Sequence, residues 1–331
     1  MELTTAGASP RQNVASSSDR VSEARRYAVP LVLLGLVGVG AGMLLYATTP
    51  RGAGVETDAV NYLSAAASLS QGAGYLGWDG QLLPYFPPGY PLLVAVLRLL
   101  TGTGVEQAAQ AADVALFVGL VLATYALACR VIESQPIRLL VAAAVASSSV
   151  LLGVYALVSS ETLFNFLCVT ALIAACAVLA HPPGSSGYRV AFGLLAVITA
   201  SAMLTRLAGV ALVLSLVITI VAIARPAQRL IARVRVSLGF GVLVLAPISA
   251  WDIFLQSQTG NWTFGSRPPS TVGLTGNIMA AARTLAGWVS PPSAIFTGWG
   301  WLDLRVAAGA VVALGTALGE LLRRPVMRLR T

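Results

Sequence analysis

The chain has 331 residues, 56% of them hydrophobic and only 10% charged, where an ordinary soluble domain carries about 25%. Its basic residues are all arginine and outnumber the acidic ones to give a net charge of +8, but they lie scattered between apolar runs, which fits a topology signal and argues against a nucleic-acid surface. The cysteines Cys129, Cys168 and Cys176 fall in or at the end of apolar stretches, lack metal-ligand spacing and read as small buried hydrophobes, and His181 is the single histidine, so no protein-borne metal site is evident.

In chain order, residues 1–24 are polar and rich in Ser and Ala, and are expected to form a disordered cytoplasmic tail. Arg25 and Arg26 then precede the apolar run 28–48. This run is longer than the core of a signal peptide and lacks a small-residue cleavage site, so it is expected to be a retained first transmembrane helix. The stretches 107–129, 138–157, 161–180, 189–204, 207–224, 236–256 and 304–322 bring the expected spans to about eight, in an all-α polytopic membrane domain covering 25–331. The spans 189–204 and 304–322 are the weakest: the first is short, and the second contains Arg305 and Glu320.

Starting from a cytoplasmic N-terminus, fifteen arginines fall on the inner side, and Arg51, Arg98, Arg206, Arg267, Arg283 and Arg305 on the outer side. The bias survives only if the short apolar segment 90–101, crowded by Pro87, Pro88 and Pro91, lies on the outer surface without crossing. Both termini are then cytoplasmic, and two long aromatic-rich loops, 49–106 and 257–303, form the working face outside. The expected location is the cell (plasma) membrane.

The first outer loop carries the candidate chemistry. It holds Asp58-x-x-x-Tyr62, Ala66, Leu69, Gly72-x-Gly74-Tyr75, Gly80 and Pro87-Pro88-Gly89-Tyr90-Pro91-Leu92-Leu93. Further on come Ser160-Glu161-Thr162-Leu163-Phe164 and Leu204-Thr205-Arg206-Leu207-Ala208-Gly209. Taken in this order, the three patterns resemble the GT-C membrane glycosyltransferases, especially bacterial members of the dolichyl-phosphate-mannose protein mannosyltransferase and aminoarabinose transferase group. The resemblance covers roughly residues 28–256. It implies a GT-C-like fold with surface helices in the first outer loop. It also implies transfer of a hexosyl or pentosyl group from a polyprenyl-phosphate donor to a glycan, lipid or protein hydroxyl on the non-cytoplasmic face, for assembly of the cell envelope.

On that resemblance Asp58 is the general base, since an alcohol needs a base to take its proton in the transition state. Glu161 is the second catalytic candidate, and Tyr62, Arg206 and Tyr90 are expected to bind substrate. Arg206 sits on the side where topology disfavours a cation, and a guanidinium suits a lipid phosphate. Each residue also has a plainer reading: Asp58 and Glu161 as first-turn acids of helices, Arg206 as an interfacial arginine that snorkels. Asp113 is costly if it faces lipid; Arg98 or Arg206 could meet it, and the sequence does not choose between them. The chain departs from the family at Ala59, where a second acid often follows the first, and at Trp251-Asp252-Ile253-Phe254-Leu255, where relatives often have Trp-x-x-Arg-Asn. No cofactor is specified; a divalent cation is compatible with the resemblance. The alternatives are a transporter or flippase of lipid-linked sugars, for which no duplicated half is visible, and a truncated non-catalytic relative.

Overall fold

A computed structural model describes residues 17–48, 52–222, 230–263, 273 and 275–280. Among these the chain forms no strand, a short helical segment at 275–280 and ten longer α-helices: α1 (Ser17–Thr48), α2 (Thr57–Ser70), α3 (Gly89–Thr101), α4 (Val105–Val131), α5 (Gln135–Ala146), α6 (Ser149–Tyr155), α7 (Ser160–Ala180), α8 (Ser186–Thr205), α9 (Gly209–Ala222) and α10 (Leu230–Thr259). Helix α1 begins inside the stretch 1–24 expected to be a tail. The expected span 304–322 and most of the loop 257–303 lie outside the described residues.

Four of these helices, α4, α7, α8 and α10, are long and apolar enough to cross a membrane, and the bent pair α5–α6 makes up to five. The apolar part of α1, Val32–Leu45, and helix α9 are shorter. Side chains such as Val197, Leu238 and Val242 stand exposed on the outside of the bundle. A water-soluble monomer rarely shows so much contiguous apolar surface.

The run 138–157 is not one continuous helix. It breaks after Ala146, and its two helices diverge by 49°. The cause is Ser147-Ser148-Ser149. Ser147 Oγ bonds back to the Ala143 carbonyl at 2.8 Å, while Ser148 Oγ accepts from Leu151 N at 3.3 Å and starts α6 as its N-cap. Serines offer the backbone such alternatives to the helical ladder.

The bundle packs in two halves. Leu44, Phe117, Val121 and Tyr155 fill the space among α1, α4, α5 and α6. Leu195, Met203, Phe240 and Val244 fill the space among α7 to α10. Helix α7 joins the halves by lying against both α4 and α8. A Cβ at Gly119 of α4 would lie 2.9 Å from the Phe166 ring of α7, so a small residue there lets the two helices approach closely.

The first loop is a packed unit with its own core. Tyr62, Tyr75, Phe86, Tyr90, Val94 and the alanines of α2 are buried together. Tyr62 meets Phe86 edge-to-face at 5.1 Å and Tyr90 at 5.5 Å, and Tyr75 meets Trp251 of α10 at 5.1 Å. Thirteen-residue α3 extends about 20 Å, too short for a hydrocarbon core of about 30 Å. It buries Tyr90, Val94 and Ala95 and leaves Leu92, Leu99 and Leu100 exposed, an amphipathic split.

Of the three cysteines expected to be buried, Cys129 is exposed on the last turns of α4, and Cys168 and Cys176 are half-buried. Lipid-facing positions on a bundle accept a small apolar side chain as readily as its interior does.

Candidate functional site

Residues 56–62 and 157–161 are drawn together by the backbone. Gly54 N donates to the Ala156 carbonyl at 2.8 Å, and Val158 N donates to the Gly54 carbonyl at 3.0 Å. This short parallel bridge ties the segment entering α2 to the segment entering α7. It sets the first turns of the two helices side by side, although about a hundred residues separate them in sequence. The opening between them is a cleft of about 150 Å³ lined by Glu56, Asp58, Tyr62, Leu157, Ser159 and Glu161.

Asp58 lies in the first turn of α2 and is exposed. Among the described residues its carboxylate makes no hydrogen bond or ion pair, so its lone pairs face the cleft and solvent. Helix position and cleft position coexist here, since an acid in the first turn is favoured by the helix dipole wherever its carboxylate points. Tyr62, one turn on, is buried, and its hydroxyl lies 3.0 Å from Ser160 Oγ. Burial raises the ionisation of its phenol above the ordinary value. The Ser160 hydrogen bond and the Arg206 charge work against that rise, and the carboxylates of Asp58 and Glu161 add to it.

Glu161 enters the site from the first turn of α7. Ser159 is the N-cap, and its Oγ accepts from Glu161 N at 3.2 Å while its hydroxyl also bonds the Glu161 carboxylate. Arg206, the C-cap of α8, forms an ion pair with Glu161 and donates through Nη1 to Ser160 Oγ at 3.0 Å. The side chains of this pair are 32% and 42% exposed, so water reaches both. The anion that Arg206 meets within the protein is therefore Glu161. An arginine presents five N–H donors, and those bonds engage only Nη1, leaving its other two nitrogens for a ligand.

Tyr90, expected to touch substrate, is fully buried, and its hydroxyl donates to Asp113, lying 3.1 and 3.2 Å from the two carboxylate oxygens. In this structure it lies beneath the cleft, because α3 turns its first-turn side chain inward against α4. Burial and the adjoining Asp113 hold its ionisation well above the usual range. Asp113 is 1% exposed, and it accepts from Thr162 Oγ1 at 2.7 Å as well as from Tyr90. Neither Arg98 nor Arg206, the two cations the sequence left open for it, pairs with it; the two hydroxyls satisfy it where an arginine would have to be buried beside it. Tyr155 adds a hydrogen bond to the Thr162 carbonyl at 3.0 Å. Tyr90, Asp113 and Thr162 thus lock α3, α4 and α7 together directly under Ser160 and Glu161.

Glu56, Ser159, Ser160 and Thr162 were not singled out as site residues from the sequence. Ser159 carried a visible signal, a serine two residues before an acid at the start of an apolar run. Ser160 and Thr162 stood in the Ser160-Glu161-Thr162-Leu163-Phe164 pattern without an assigned role, and Glu56 carried no signal. Asp252, in the segment that departs from the family pattern, accepts from Thr263 N at 3.2 Å and holds the turn after α10. Among the described residues, no group of three or more His, Cys, Asp or Glu side chains is placed to hold a metal ion.

No protein-family profile matches the sequence, and no curated protein is significantly similar to it.

Proposed function

We propose that the protein is an integral-membrane glycosyltransferase of GT-C type, with about eight spans. It moves a sugar from a polyprenyl-phosphate donor to an acceptor hydroxyl on the non-cytoplasmic face. The observation that carries this reading is the meeting of three separated motifs in one place. Asp58 and Glu161 line a single cleft, and Arg206 is bonded to Glu161 and Ser160 at its edge. A scaffold protein has no need of two carboxylates and a half-exposed guanidinium at one mouth of a lipid-embedded bundle, where each costs free energy.

In this mechanism Asp58 accepts the proton of the acceptor hydroxyl as its oxygen attacks the anomeric carbon. The bond from that carbon to the phosphate oxygen breaks, and the polyprenyl phosphate leaves with the electron pair. Arg206 neutralises the charge gained on the phosphate through the donors that Glu161 and Ser160 do not use. Glu161 holds the guanidinium in register. The cleft is smaller than the roughly 300–1,000 Å³ of a complete small-molecule site, which suits a reacting hydroxyl and one edge of a sugar ring.

The test is transfer from labelled polyprenyl-phosphate sugars in a lipid extract, comparing wild type with Asp58→Asn. A lost general base lowers turnover by at least about 10²-fold. Asp58 follows the N-cap Glu56 by two residues, so Asn gives up only a dipole interaction of about 0.3–1 kcal/mol and the variant stays folded and inserted. Unchanged turnover removes Asp58 from the mechanism. Wild-type protein that carries lipid-linked sugars across vesicles without transferring them belongs to the transporter reading.

A further inference from the structure

Beside the cleft just described lies a second one, of about 520 Å³, within the usual range for small-molecule sites. Two exposed rings stand at it, Trp78, which is 71% exposed, and Tyr85, 46% exposed. Around them are the side-chain amides of Asn61, Gln81, Gln258 and Asn261. The single charged side chain among the described residues lining it is Asp79.

Trp78 stands exposed at the tip of a built turn. Leu76 pairs with Leu82 in an antiparallel bridge. Gly77 N donates to the Gln81 carbonyl at 2.8 Å, and Gly80 N donates to the Gly77 carbonyl at 3.1 Å. Gly80 takes φ +75°, a conformation open to glycine at little cost. Asp79 Oδ1 accepts from Gln81 N at 3.1 Å, which closes the turn and leaves Oδ2 free to accept. Behind it Tyr75 and Leu83 are buried, and the Tyr75 hydroxyl is fixed on the Phe86 carbonyl at 3.0 Å. The backbone that carries the ring is thus fixed at the tip, and only the ring's own rotamer remains for a ligand to order.

The chemistry of the lining selects the ligand. Flat rings offer an apolar face, and amides offer both donors and acceptors at the rim. A surface that only met lipid headgroups would use the rings without four amides and a carboxylate beside them. With Asp79 and no lining cation among the described residues, the cleft disfavours phosphate and other anions, in contrast to Arg206. A neutral ring with one apolar face and hydroxyls at its edge meets every requirement.

We propose that this cleft binds a neutral saccharide, and that it is the acceptor subsite of the transferase. The second part rests on the transferase reading; the binding does not. Asn61 joins the two clefts, since it lies three residues after Asp58 on α2, and side chains at that spacing are helix-surface neighbours about 5–6 Å apart at Cβ. A saccharide seated on Trp78 and Tyr85 can therefore extend its terminal hydroxyl past Asn61 towards Asp58.

The experiment titrates full-length protein in lipid nanodiscs with maltotetraose, α-1,6-linked mannotetraose and chitotetraose, using oligogalacturonate as the anionic comparison. Binding is read by calorimetry in the absence of donor. At least one neutral oligosaccharide binds saturably, and oligogalacturonate binds more weakly than that sugar. Trp78→Ala weakens binding by at least about tenfold, as truncation of an aromatic anchor does, and Trp78→Phe restores most of it. The proposal is overturned if no neutral sugar binds up to about 10 mM, if Trp78→Ala binds as well as wild type, or if brominated lipids quench Trp78 and sugars leave it unaffected. Saturable binding lost in Trp78→Ala, in a protein that transfers nothing, upholds the saccharide site and overturns its acceptor role together with the transferase reading.

Discussion

A Cβ atom on Gly89 would come within 2.6 Å of Thr205 Oγ1 and 2.8 Å of the Leu204 carbonyl oxygen. The first turn of α3 therefore rests directly on the last turn of α8, one residue before Arg206. Two of the three sequence patterns that suggested a common site are thus in contact through a glycine that leaves room for no side chain.

Gly89→Ala should force the α8 backbone away and displace Arg206. The expected cost is about 1–3 kcal/mol from overpacking, with weakened donor binding alongside. Gly153→Ala on α6, where a Cβ meets nothing within 4 Å, should be neutral or mildly stabilising. Thermal unfolding of the two variants in the same nanodiscs checks this, and equal losses would refute the contact.

Arg206→Ala should weaken the lipid donor more than the acceptor, by the roughly 1.5–3 kcal/mol of a hydrogen bond to a charged group, or about ten- to a hundredfold. Arg206→Lys keeps the charge but loses the fork, and should recover part of that affinity. Glu161→Gln should leave the guanidinium unpaired and loosen its orientation, so donor affinity changes there too. Donor titrations at saturating acceptor measure all three. If Arg206 merely snorkels, donor affinity stays put and insertion or stability changes instead.

The packed first loop should be sensitive to alkali. Burial raises the ionisation of Tyr62, Tyr75 and Tyr90 above the ordinary value near 10. Unfolded tyrosines lose their protons near 10 while the folded ones keep theirs, so above that pH the unfolded state binds fewer protons and stability falls. Their stabilising effect is complete below about pH 10 and is lost as pH rises through the folded values. Tyrosinate absorbance and helical circular dichroism should change together in one cooperative step. Full titration of all tyrosines with the helices intact would contradict this burial.

On the arginine distribution, loop 49–106 is predicted to lie outside. A cysteine-free background carrying Asp79→Cys should react with a membrane-impermeant maleimide in intact cells. Labelling only after permeabilisation would invert the whole topology.

Sequence alone determined the class of the protein. Charge-free runs and proline positions located α3, α4, α7, α8 and α9 to within a few residues, and the apolar parts of α1 and α10 without their polar first turns, because hydrocarbon thickness and the need to satisfy backbone hydrogen bonds leave an apolar chain few choices. It also named Asp58, Glu161 and Arg206, since ionisable side chains are conspicuous where so few are present. It could not reveal the break at Ser147-Ser148, which turns on side-chain hydrogen bonds competing locally with the helix. Nor could it assign Tyr90 to Asp113, the pairing of Arg206 with Glu161, or the place of Trp78 beside Asn61 and Asn261. These depend on which helix faces meet, a choice made by packing between segments far apart in the chain and invisible to any local pattern. The parallel bridge from Gly54 to Leu157 is the clearest case: only the folded bundle brings α2 and α7 to a shared mouth.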